Sequence, residues 1–198
     1  LKDAKCKVAQ LQTSAIEIIP SYAINYLEAQ EAMQTKKFGG IVSDVFFPES
    51  KERISSEETI NACSKVLRAP TRPDEKHATY ESVLEYIFNE IKTEGKPSYG
   101  SGEYLMYHAF DQWSKGKELA PLGVLVAEEA KKKEISIVFC SSLYHHSYAA
   151  QPVFTYARDS RIAFIDSTSD YMKESKGKNW KGALDVLLQQ INSGEKTK

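Results

Sequence analysis

A chain of 198 residues, 41% of them hydrophobic and 27% charged, has the size of one domain and can bury a core under a solvated surface, which excludes disordered and collagen-like classes. Its 26 Lys and Arg are offset by 27 Asp and Glu, so the formal charge of −1 gives no global basic field and argues against nucleic acid as a partner. No apolar run approaches the roughly 18 residues of a spanning helix. Leu1-Lys2-Asp3-Ala4-Lys5 lacks the apolar stretch of a signal peptide, so the expectation is a cytoplasmic protein with no membrane partner. Cys6, Cys63 and Cys140 fit no zinc spacing and read as reduced structural thiols.

In chain order, Ala15-Ile16-Glu17-Ile18-Ile19 is a short apolar run stopped by Pro20 and reads as a strand. Residues 21–37 place Ala23, Tyr26, Leu27, Gln30 and Met33 near helical spacing, with Gly39-Gly40 behind them as a stop. Gly40-Ile41-Val42-Ser43-Asp44-Val45-Phe46-Phe47-Pro48 is apolar almost throughout, as expected of a central strand buried on both faces of a parallel sheet.

Residues 49–120 change to a polar, helix-period pattern, with amphipathic helices predicted over 57–67, 77–92 and 103–113. Pro70-Thr71-Arg72-Pro73 and the glycine-rich stretch 95–102 separate them, and the block reads as a helical insertion within a single domain spanning 1–198. Its ten basic and thirteen acidic residues speak against a nucleic-acid arm. Its recurring aromatics, among them Tyr80, Tyr104 and Phe110, pack against the sheet or offer a surface to a protein partner. Alternation then resumes, with helix over 122–133, strand over 135–140, helix over 149–159, strand over 161–165 and a closing helix over 180–191. This order predicts an α/β fold, a three-layer sandwich around a parallel sheet with right-handed crossovers.

Ser43-Asp44-Val45-Phe46-Phe47-Pro48 resembles the end of the third strand of a response-regulator receiver domain, where the phospho-accepting aspartate is followed by two variable residues, a hydrophobe and Pro. The resemblance covers about two thirds of the chain and implies a flavodoxin-like sheet in the order 2-1-3-4-5. It makes Asp44 the candidate phosphoacceptor, and Ser141 and Ser142, at the end of the next strand, the candidates that contact the phosphoryl group. It also implies Mg²⁺ as a cofactor. The family's acidic pair has no counterpart before Ala15, and Ile165 is followed by Asp166-Ser167 where receivers keep a Lys. The implied function is therefore a signalling or protein-interaction module of degenerate receiver type, with the insertion helices facing a protein partner. The absent strand is expected either upstream of Leu1 or over residues 5–11.

Elementary chemistry supports a site at the same place. Ligands of open α/β sheets gather beyond the carboxyl ends of the strands, where Asp44, Ser141, Ser142 and Asp166 fall. Asp44 and Asp166 are the candidate Mg²⁺ ligands, because a hard cation takes oxygen donors. Tyr144-His145-His146-Ser147 follows the strand at this face, and His145 and His146 are either acid-base groups or polar residues that hold the loop. The rival function is a small hydrolase or phosphatase-like enzyme with Asp44 and Asp166 as carboxylates and His145 or His146 as the acid-base group.

Overall fold

The computed structural model describes residues 18–67, 113, 115, 119–142, 150–166 and 178–194. Within these the chain is mixed α/β. Its elements are α1 (Tyr26–Thr35), β1 (Gly40–Asp44), α2 (Glu57–Val66), α3 (Gly123–Lys132), β2 (Ser136–Cys140), α4 (Gln151–Asp159), β3 (Ala163–Ile165) and α5 (Trp180–Ser193). The three strands form a parallel sheet in the order β1-β2-β3. Gly40 pairs with Ser136 and Asp44 with Cys140, and Cys140 in turn pairs with Ile165, so the three strands end level.

Strand alternation divides the core in two. Ile137 and Phe139 of β2, with Ile41 and Phe164, pack against Val124, Ala127 and Ala130 of α3, Val153 and Ala157 of α4, and Ile60 and Cys63 of α2. Val138 and Cys140, with Val42, Ala163 and Ile165, pack on the opposite side against Ala183, Leu184 and Leu187 of α5. Every residue of β2 is buried, which is why its sequence reads as an uninterrupted apolar run.

The helices that lead into β2 and β3 end in the same way. After α3, Glu134 takes a left-handed φ of 55°, its N–H donates to the Lys131 carbonyl at 3.0 Å, and the Ile135 N–H reaches back to Ala130 at 2.9 Å. After α4, Arg161 repeats this φ of 55°, with Arg161 N–H to Arg158 at 3.1 Å and Ile162 N–H to Ala157 at 2.8 Å. These are Schellman closures with an isoleucine folded back onto the last turn, and they aim the chain directly into β2 and β3.

The strand expected over 41–45, with Asp44 at its end, runs from Gly40 to Asp44 and stops there, because Asp44 turns its own carboxylate onto the Val45 and Phe46 N–H groups in place of a ladder partner. Two other expectations fare differently. Among the described residues β2 is the central strand, and β1 is mostly half-buried. Of the strand predicted over 15–19 only Ile18 and Ile19 are described; both are irregular, and Ile19 is 84% exposed. The substitute for the first strand at 5–11 and most of the insertion, including its second and third predicted helices, lie outside the described residues apart from Trp113. Among the described residues no helix is long and apolar enough to cross a membrane.

Candidate functional site

The site grows from the level strand ends. Asp44 closes β1, and Ser141 and Asp166 are the residues immediately after β2 and β3. The Ser141 N–H donates to the Ile165 carbonyl at 2.8 Å and carries the sheet one step further. Asp44, Ser141, Ser142 and Asp166 are thus brought to one edge, as their positions in the sequence predict. His145 and His146 lie outside the described residues.

Asp44 is held from several directions. Its Oδ1 accepts the Val45 N–H at 2.7 Å and the Phe46 N–H at 3.4 Å. Its Oδ2 is paired with the Lys178 ammonium, and the two side chains are only 22% and 21% exposed. The ammonium also lies 5.6 Å from the ring centroid of Trp180, within cation–π range. Lys178 directly precedes Asn179, whose Oδ1 accepts the Gly182 N–H at 3.0 Å and caps α5. The pair therefore joins the end of β1 to the start of the helix that covers one face of the sheet.

Cys140 and Ile165, the last residues of β2 and β3, pack with α5, and Ser141 and Asp166 follow them directly. Ser43 is buried, and its hydroxyl donates to the Asp44 carbonyl at 2.6 Å, which makes it a backbone support.

The loop after Asp44 is equally tied. The Pro48 and Glu49 carbonyls accept the Tyr26 and Leu27 N–H groups at 3.0 Å each and satisfy the free donors of α1. The buried Glu49 carboxylate accepts the Ser56 N–H at 2.5 Å and the Thr59 hydroxyl at 3.0 Å, at the capping box that opens α2.

Among the described residues the donor set does not fit the Mg²⁺ that the receiver resemblance implies. Both Asp44 oxygens are engaged, one of them by a positive charge. Asp166 stands beyond β2, two strand spacings away or roughly 10 Å between Cα atoms. Among the described residues no group of three or more His, Cys, Asp or Glu side chains is placed to hold a metal ion.

Lys178 is the member of this site that the sequence analysis missed. It lies 134 residues from Asp44 and belongs to no motif. The available signal was its place just ahead of the cap of the closing helix, since a helix antiparallel to the sheet begins at the edge where the strands end.

No protein-family model, characterised protein or solved structure matches the chain.

Proposed function

We propose that the chain is a receiver-like protein-interaction module in which Asp44 is a held structural acid and not a working phosphoacceptor. The observation that carries this reading is the ion pair between Asp44 and Lys178 at the carboxyl end of a parallel sheet. An ammonium on the strand-end aspartate is what the receiver resemblance requires, and here it comes from the residue before the cap of α5 and not from the residue after β3. The order β1-β2-β3 agrees with strands 3, 4 and 5 of the flavodoxin-like arrangement 2-1-3-4-5, with helices on both faces as in a three-layer sandwich.

The degenerate form is favoured by the donors around the strand ends: among the described residues no group of three or more His, Cys, Asp or Glu side chains stands ready to hold the cation that phosphoryl transfer to a carboxylate needs. Interaction with a protein is supported by exposed Ile24, Leu27 and Ile54, large apolar side chains around the loop that follows Asp44. The insertion over 49–120 is the proposed partner-facing segment.

Incubation of the full chain with acetyl phosphate and Mg²⁺, followed by intact mass, tests the reading. The expected result is no added phosphoryl mass on the wild type or on Asp44→Asn. An adduct on the wild type that Asp44→Asn lacks overturns it and restores a phosphorelay function.

A further inference from the structure

We infer that Lys178 is the resident cation of the Asp44 site, so that the carboxylate is held at the strand end without a divalent ion and Lys178 keeps such ions out. The inference rests on the reading of Asp44 as a held acid at a receiver-like strand end.

A carboxylate taken largely out of water needs either a positive charge or hydrogen-bond donors to offset its lost hydration. Asp44 has both, with two backbone N–H groups on Oδ1 and the ammonium on Oδ2. The ammonium is fixed in turn. It stands by the Trp180 ring, and its backbone leads into a capped helix whose Ala183 and Leu187 are buried against the sheet. A rigid element therefore delivers the charge.

Mg²⁺ demands a near-octahedral oxygen shell at roughly 2.1 Å and gives up its water reluctantly. To reach Asp44 it would have to displace the ammonium or sit beside it, and two cations on a single carboxylate repel each other. Among the described residues no group of three or more His, Cys, Asp or Glu side chains is placed to hold such an ion. Removing the ammonium leaves a part-buried carboxylate with half of its compensation, and an added cation then gains what Lys178 supplied.

Paramagnetic Mn²⁺, an oxygen-preferring divalent ion, is the probe, added in millimolar amounts to the ¹⁵N-labelled full chain. The readout is the amide signals of Val45 and Phe46, which touch Asp44 Oδ1. In the wild type these signals are expected to keep the intensity of the surrounding sheet. In Lys178→Met, which retains the chain length without the charge, they are expected to broaden selectively, and the broadening is expected to vanish in Asp44→Asn/Lys178→Met. Selective broadening in the wild type that Asp44→Asn removes overturns the inference, as does a folded Lys178→Met that shows none. Lys178→Gln replaces Lys178→Met if the latter does not fold. Acetyl phosphate labelling reports separately on the receiver reading, so an Asp44 adduct with silent Mn²⁺ spectra would sink that reading and leave the lysine's role standing.

Discussion

Gly123 stands so close to the end of β1 that a Cβ on it would lie 2.5 Å from the carbonyl oxygen of Asp44. Its own N–H donates to the Val45 carbonyl at 3.0 Å, so the first residue of α3 is stitched to the backbone that carries the candidate site. Within a helix, Gly→Ala normally stabilises by about 1 kcal/mol. Here the new methyl meets backbone that cannot rotate away, and overpacking of this kind costs about 1–3 kcal/mol or more. Gly123→Ala is predicted to destabilise by about 2 kcal/mol net in urea denaturation, with the Val45 and Phe46 amide signals displaced.

Arg161 is a prediction of opposite sign. It holds a left-handed φ of 55° at the end of α4, a conformation that costs an L-residue about 1 kcal/mol and glycine nothing. Arg161→Gly is expected to raise stability by about 0.5–1 kcal/mol, measured as a higher urea midpoint with an unchanged slope.

A second polar cluster lies at the far edge of the sheet, where α3 and α4 end. The Tyr156 hydroxyl donates to Glu128 Oε1 at 2.6 Å, and the Lys131 ammonium meets the same oxygen at 3.2 Å and the Tyr156 ring at 5.6 Å. Burial by itself raises the Glu128 carboxyl, but the Tyr156 hydroxyl and the Lys131 ammonium outweigh it and hold the group below its ordinary 4.5. Burial first, then the hydrogen bond to Glu128 and its charge, push the Tyr156 hydroxyl up, so it stays a donor at all working pH values. A carboxyl with a lowered folded value adds stability that is complete above its unfolded value and disappears as the pH falls. The wild type is therefore expected to lose stability below about pH 4.5 that Glu128→Gln does not lose. Tyr156→Phe at neutral pH is expected to cost about 1 kcal/mol, the low end for a bond to a charged acceptor that is partly exposed.

Glu49 secures the loop between Asp44 and α2. Glu49→Ala removes one of two acceptors of the Ser56 N–H, the Thr59 hydroxyl being the other, and one of the acceptors of the Thr59 hydroxyl. The expected loss is about 1 kcal/mol in chemical denaturation. Glu49→Gln keeps an acceptor oxygen at the same place and is expected to lose less than half of that.

The elements of this fold were legible because their signals are local. The apolar run ending at Cys140 gave β2, and the amphipathic run beginning at Trp180 gave α5, each within two residues of its observed bounds. The position of Asp44 was legible too, as an acid at the end of an apolar run followed by Pro48. The sequence did not reveal that Ile19 and Leu27 face solvent, since the packing that turns an apolar residue outward is set by distant chain. Nor did it reveal where the carboxylate's charge is balanced. The lysine does not stand at the residue after Ile165; the pairing crosses 134 residues and depends on where α5 docks.

The central claim is that Asp44 and Lys178 are energetically coupled, and a double-mutant cycle measures this directly. Asp44→Asn keeps an oxygen for the Val45 N–H, and Lys178→Met keeps the aliphatic stem, so the two changes together isolate the charge pair. At low salt the cycle, read by urea denaturation of the wild type, the two single variants and the double variant, is predicted to give a coupling of about 1–2 kcal/mol. Stability changes that add to within about 0.5 kcal/mol would contradict the account.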